Sequence, residues 1–267
     1  MKGGSIKKKQ KFGNGSERSS LKSPGSLSLV GELNGNGCLI TSEAECSQLW
    51  WHGCFGRGLM SRSRPERLSG SRQQREATSA ASPFYGSGPV KSPRALLGVA
   101  NEPVHLTPEE TLYLMHVFGC LRLEPPLPVE QVWRFFVEAQ PRMPLLYFAY
   151  HHYRRLGWVV RAGSKMGCDL VLYQDNPGLV HAQHSILVLD NAQPMPSWPE
   201  LLGIGRVSEN VRKTLVLCRV QLGASVRTLD DVLNGSHVAE ELVYRRWATN
   251  RTRDEKGDND EPDWSND

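Results

Sequence analysis

The chain lacks the patterns that announce a structural metal, a membrane span or a disulfide-stapled fold. Its six cysteines, Cys38, Cys46, Cys54, Cys120, Cys168 and Cys218, include no C-x-x-C pair. That spacing excludes a zinc ribbon or finger and predicts free thiols in a reducing compartment. No apolar run approaches the roughly 18 residues that a spanning helix needs. The lysines near the N-terminus are followed by no apolar stretch, so no secretory signal is expected. Charge of one sign is also scarce: 32 Lys and Arg against 28 Asp and Glu leave a net +4. This excludes a histone-like binder, and it suits an ordinary soluble protein as well as a nucleic-acid binder. Hydrophobic residues make up only 39% of the chain, and they are unevenly spread.

That unevenness divides the sequence. Residues 1–27 read as a disordered basic tail whose KKKQK run (7–11) is either a nuclear import signal or a solvated cluster. Residues 28–68 form an N-terminal element with a Gly-rich motif, and 69–103 a Ser- and Gly-rich linker. Core-forming segments begin near 104, with a helical part over 104–156 and a sheet-based part over 157–248. The last stretch, 249–267, is an acidic, disordered tail. Positive charge is local, in KKKQK, in RSRPER (62–67) and in RRLGWVVRAGSK (154–165). Local clusters matter more to a phosphate backbone than the total does.

The elements follow from period and punctuation. LSLVGELNGNGCLI (28–41) predicts a hairpin turning at Asn34-Gly35 or Asn36-Gly37. QLWWHGCFGRGLMSRSRP (48–65) predicts a short helix running into a Gly-rich turn. Thr107-Pro108 followed by two acids is a strong helix start. On that helix Leu112, Met115, His116 and Gly119 share a face, with His116 read as a core histidine. Helices are expected over 128–139, with Val132, Phe135 and Phe136 facing inward, and over 144–156, with Tyr147, Phe148, Tyr150 and Tyr153 as core. After Gly157 the period changes to strands at 158–160, 169–173 and 181–189, a helix over 198–207 and a strand over 213–222. Residues 238–247 read as helix or strand. The fold class is α+β: a helical or mixed N-terminal domain followed by a small sheet-based domain.

Three side chains in that second part carry chemistry: Tyr173, His181 and Lys213, within 41 residues. They are the set needed to cleave RNA through its own 2′-OH without a metal. One group takes the 2′ proton, one gives a proton to the leaving 5′-oxygen, and one holds charge on phosphorus. Histidine titrates near neutrality and suits the acid. Lysine is a compact cation suited to the transition-state charge. Tyrosine, with an ordinary pKa of about 10, is a poor base unless a cation such as Lys213 lowers it, so Tyr173 either takes the proton or only orients the nucleophile. Tyr173 ends one expected strand, His181 opens the next after the turn QDNPGLV, and Lys213 starts a later one. A hairpin brings the first two to one rim of the sheet.

The surroundings resemble the tRNA-splicing endonuclease (tRNA intron endonuclease) family, most of all the catalytic subunit that cuts the 5′ splice site. A glycine opens a Trp-Val strand. A G-x-K-x-G-x-D element follows as Gly163-Ser164-Lys165-Met166-Gly167-Cys168-Asp169, then the strand ending in Tyr173, the His181-Ala182 pair, and an R-x-S-x-x-x-R-K-type element from Arg206 to Lys213. The segment at 53–65 resembles a second element of the same subunit. Met166 departs from the pattern, standing where an aromatic is common, and the His181–Lys213 interval is short. The resemblance covers about 106–248 plus 53–65.

It implies a restriction-endonuclease-like catalytic domain over 157–248 and catalytic roles for Tyr173, His181 and Lys213. It implies that Arg206, Arg246 and Trp247 grip a substrate base by stacking. It implies a lyase that needs no metal and no cofactor and leaves 2′,3′-cyclic phosphate and 5′-OH ends on intron-containing pre-tRNA. The implied partners are a second catalytic subunit and two structural subunits in a heterotetramer, with strand pairing to a structural partner expected near Val238–Trp247. Nuclear localisation is expected, with a cytoplasmic, organelle-surface site as the alternative. The rivals are the 3′-splice-site subunit, a non-catalytic structural or RNA-binding subunit, and a metal-dependent nuclease. The last has Asp169 but no E-x-K element.

Overall fold

The computed structural model describes residues 6–8, 28–42, 45–46, 49–59, 103–223 and 226–244. Among these residues the fold is α+β, with two mixed sheets and five α-helices. The N-terminal sheet contains β2 (Leu29–Asn34), β3 (Gly37–Ile40), β4 (Arg57–Gly58), β5 (Val104–Leu106) and β6 (Leu121–Leu123), in the order β4-β5-β3-β2-β6. The expected hairpin is present. Asn34 pairs with Gly37, so the turn is centred on Gly35-Asn36, between the two positions the sequence offered. Gly37 takes φ +143°, and a Cβ there would lie 1.9 Å from the Leu106 carbonyl oxygen. Glycine is therefore required where the hairpin crosses β5.

Helix α1 (Pro108–Leu112) is closed by a capping box between Thr107 and Glu110 and continues as a wider turn over Tyr113–Val117. Gly119, at φ +60°, ends it. His116 is not a core histidine: it is half-buried and faces Asp230, with 3.4 Å between Nε2 and Oδ1. Helices α2 (Val129–Ala139) and α3 (Met143–Arg155) follow. Trp133, not Phe135, anchors α2, and its indole N–H donates to the Arg227 carbonyl at 3.2 Å. Phe135 is 39% exposed. Tyr147, Tyr150 and Tyr153 are buried in the main core, as their spacing predicted. Burial of each ring stabilises by about 1.5–3 kcal/mol before the cost of desolvating its hydroxyl.

The second sheet is β1-β11-β10-β9-β8-β7, built from β1 (Ile6–Lys8), β7 (Val159–Ala162), β8 (Leu170–Tyr173), β9 (His184–Asp190), β10 (Thr214–Gln221) and β11 (Val238–Tyr244). All neighbours are antiparallel except β9 and β10, which helix α4 (Trp198–Asn210) connects. A parallel pair needs such a crossover. One face packs on α3 and the main core through Val160, Leu172, Ile186, Val188, Val216 and Val220. The other receives α4, whose Leu201 and Ile204 meet Leu215, Leu217, Leu242 and Tyr244. Gly205 allows that approach, since a Cβ there would meet the Tyr244 ring at 2.6 Å.

Several elements differ from expectation. Ile6–Lys8 is a strand against β11, within a tail predicted to be disordered; it covers Leu242 to Tyr244, part of the edge proposed for a partner. Residues 238–244 are a strand. Helix α4 runs three residues past 207, and β9 begins at His184 rather than His181. Strands β5 and β6 and helix α5 (Leu229–Asn234) were not foreseen. Helix α3, grouped by composition with the N-terminal part, packs on β7, β9 and β10. The linker at 69–103, except residue 103, and the acidic tail lie outside the described residues.

Candidate active site

Register defines the site. Leu172 pairs with His184 across β8 and β9, and Thr214 pairs with His184 across β9 and β10. The ladder continues one step, with Gln183 N–H donating to the Leu172 carbonyl at 2.9 Å and Thr214 N–H to the Gln183 carbonyl at 3.0 Å. Tyr173 and Lys213 therefore flank the Gln183 position at one end of three adjacent strands. His181 stands two residues further out, in the loop rather than in the strand.

Each residue is placed by local chemistry. Tyr173 closes β8 opposite Val159. The loop after it is folded by Asn176, a buried residue whose Oδ1 accepts from Gly178 N–H at 2.8 Å and whose carbonyl accepts from Leu179 and Val180. This Asx turn brings the chain back and leaves His181 exposed beside a buried Ala182. Ala182, Val171 and Cys168 form a small apolar cluster with Tyr173 and Met166 against it. His184 belongs elsewhere: its ring lies edge-on to Trp158 at 5.2 Å.

Lys213 is set by the end of α4. Arg212 adopts φ +55°, Lys213 N–H donates to the Ser208 carbonyl at 2.8 Å and Arg212 N–H to the Glu209 carbonyl at 2.9 Å. This is a Schellman cap with arginine at the position glycine usually takes. It fixes the lysine backbone on one side while β10 fixes it on the other. The ammonium donates to the Val211 carbonyl at 3.2 Å. Burial lowers the Lys213 pKa, and the nearby Cys168 thiol opposes that shift. Burial raises the Tyr173 hydroxyl, and the cation that partly offsets it is Arg161, not the Lys213 anticipated from sequence.

Arg206 is exposed on α4, seven residues before Lys213 and away from the Leu201–Gly205–Ser208 face that packs on the sheet. Arg246 and Trp247 lie outside the described residues. Asp169 has a structural task. Its carboxylate accepts from Val188 N–H at 2.7 Å and receives Arg142 at 3.2 and 3.3 Å, while Arg142 also donates to the Val188 carbonyl at 2.7 Å. Among the described residues, no group of three or more His, Cys, Asp or Glu has the arrangement to hold a metal ion. None of their helices is long and apolar enough to cross a membrane. A hollow of about 670 Å³ lies in the N-terminal half, lined by Val30, Met115, Leu123 and Leu127 among others, and includes none of the candidate site residues.

Sequence reasoning missed Arg161. It sits in β7, diagonal to Tyr173 through the Arg161–Val171 pair, and its side chain is only 12% exposed. The signal was available: a charged residue inside the apolar run WVVRA must be paired if the strand is buried.

The sequence model of the tRNA intron endonuclease, catalytic C-terminal domain, matches residues 143–228, from the start of α3 to the cap of α5. The chain is 34% identical over 172 residues to the tRNA-splicing endonuclease subunit Sen2 of Gallus gallus, covering 59% of this chain and 37% of that one. It is 30% identical over 164 residues to subunit SEN2 of Saccharomyces cerevisiae, covering 57% and 43%. It is 40% identical over 96 residues to the tRNA-splicing endonuclease of the archaeon Sulfurisphaera tokodaii, covering 36% and 53%. The chain thus spans less than half the length of those two eukaryotic relatives. Over residues 143–228 the chain is thus similar to the tRNA intron endonuclease catalytic domain, and over longer spans to Sen2 subunits.

Proposed function

We propose that this chain is the subunit of a tRNA-splicing endonuclease that cleaves pre-tRNA at the 5′ splice site, without a metal, leaving a 2′,3′-cyclic phosphate and a 5′-OH. The observation that carries the reading is the convergence of Tyr173, Lys213 and the His181 loop at one end of β8, β9 and β10. In the reaction the 2′-oxygen bonds to phosphorus, and the bond from phosphorus to the 5′-oxygen breaks. The 2′ proton passes to Tyr173 when that residue is ionised; a neutral Tyr173 instead orients the hydroxyl and the proton passes to solvent water. His181 as imidazolium protonates the departing 5′-oxygen. Lys213, already lowered by partial burial, gains most from a developing negative charge, which repays its desolvation. Arg206, with Arg246 and Trp247, is assigned to gripping an unpaired substrate base. The working assembly is a heterotetramer with a second nuclease, which cuts the 3′ site, and two structural subunits. Among the described residues β1 leaves the outer edge of β11 uncovered at Val238–Glu241, which suits strand pairing with one of them. The nucleus is the proposed compartment.

The test is pre-tRNA cleavage by the reconstituted complex. With His181→Ala the 5′ cut is lost and the 3′ cut persists. Loss of both cuts, or of neither, contradicts the assignment. Excess EDTA leaves both cuts intact; abolition by chelation favours the metal-dependent rival.

A further inference from the structure

The Gly-rich element at 53–58 has no role in the chemistry above, yet charged side chains hold its backbone at three places. Cys54 adopts φ +54°, a left-handed conformation uncommon for a residue with a side chain. Two arginines, Arg154 buried and Arg161 largely so, hold the carbonyls on either side of that kink. Arg154 donates to the Gly53 carbonyl at 3.2 Å, and its guanidinium lies 4.1 Å from the Phe55 ring centroid. Arg161 donates to the Cys54 carbonyl at 3.2 Å and lies 5.1 Å from the Trp50 ring. Glu110 completes the clamp, with Oε1 accepting from both Gly56 N–H and Arg161 at 3.2 Å. The two ends of the Arg161–Glu110 pair are 12% and 3% exposed.

The clamp lies beside the site on its β7 side. Arg161 shares the sheet face of Tyr173, one diagonal step away. The Cys54 thiol is close enough to feel the charge of Asp175, two residues after Tyr173, in the loop that carries His181. A charged pair this deeply buried is poor evidence of a stability function, since an apolar pair often does as well. It does hold one cation at a fixed place beside the tyrosine.

We propose that Arg161 is a positioning residue for Tyr173, and that the 53–58 element acts in the cleavage reaction through it. The N-terminal element thereby becomes part of the catalytic unit rather than a separate attachment. Arg161 also counters the rise that burial imposes on the Tyr173 hydroxyl, the direction a base or a strong hydrogen-bond donor requires. Cys168, Lys213, His181 and Asp175 are other titratable groups on the elements around that tyrosine, and Glu110 pairs with Arg161 itself. This inference rests on the proposed 5′ cleavage.

The experiment is single-turnover cleavage by the reconstituted complex, with pre-tRNA affinity and the 3′ cut measured in the same samples. Arg161→Met lowers the 5′ rate by roughly tenfold or more, the effect of about one pKa unit or one lost orienting contact. The affinity and the 3′ rate stay at wild-type values, and Arg161→Lys recovers part of the 5′ rate. Because Arg161→Met leaves Glu110 buried without its partner, the double variant Arg161→Met/Glu110→Gln is measured as well. It retains the fold and keeps the slow 5′ cut. An unchanged 5′ rate in the double variant, or an equal fall of both cuts, overturns the inference. If the wild-type complex makes no 5′ cut, or His181→Ala leaves it intact, the proposed function itself has failed.

Discussion

Asp169 offers a sharp test of how the G-x-K-x-G-x-D element works. Strand β8 begins at Leu170, whereas β9 runs on to Asp190, so Val188 lies beyond the last backbone partner that β8 supplies. The Asp169 carboxylate accepts the Val188 N–H at 2.7 Å, and Arg142 donates to the Val188 carbonyl at 2.7 Å. The ion pair thus replaces one rung of missing strand. Asp169→Ala strands the Val188 N–H beside a fully buried side chain, at a cost of about 1–3 kcal/mol. The Arg142 contact adds no more than about 1 kcal/mol, because that arginine is half exposed. The total is about 1–4 kcal/mol, or a fall in Tm of roughly 2–16 °C for a domain this size. Asp169→Asn keeps one acceptor oxygen for the amide and costs about 1 kcal/mol. Thermal unfolding of the full chain, followed by far-UV circular dichroism, separates the two. If Asn costs as much as Ala, charge pairing rather than the buried amide dominates, and the rung argument is wrong. If Ala costs nothing, the element is not structural.

Further expectations follow from other residues. Gly37→Ala forces a Cβ against the Leu106 carbonyl at a positive φ and destabilises by at least about 2 kcal/mol in denaturant titration. An unchanged midpoint contradicts the hairpin geometry. Burial holds His151 down at about 4, with Arg155, His116 and His152 adding to the effect. Its folded pKa lies below the unfolded 6.5, so its stabilising contribution is complete above pH 6.5 and is lost as pH falls toward 4. Discounted for partial exposure, the loss is about 1–2 kcal/mol. His151→Phe therefore flattens the acid side of a Tm-against-pH curve, and an unaltered curve refutes the assignment.

Periodicity made the α+β order and most elements legible, because long amphipathic helices and apolar strands announce themselves. Tyr173 and Lys213 were legible because each sits at a strand terminus that the sequence marks. Their adjacency was not, since it depends on β9 and β10 being parallel, and no local signal states that. The onset of β9 was misjudged for a physical reason. The Asn176 turn consumes the chain through Val180, and Ala182 packs into the Cys168 cluster, so His181 sits on a loop. Trp133 was overlooked in favour of Phe135 because one helical turn offers both, and only the Arg227 carbonyl decides which faces in. Strands β5 and β6 have three residues each, too short for a period to show. The Arg161–Glu110 clamp joins residues 51 apart and left no trace beyond a charge in an apolar strand.

The central claim is that this chain cuts the 5′ junction through the substrate's own 2′-OH. A pre-tRNA carrying a single 2′-deoxynucleotide immediately 5′ of the first exon–intron junction tests it directly. The account predicts that the reconstituted complex leaves that junction intact, still cuts the second junction, and produces a 2′,3′-cyclic phosphate at the first in the all-ribose substrate. Cleavage of the deoxy junction, or a 3′-OH end at the all-ribose one, would contradict it.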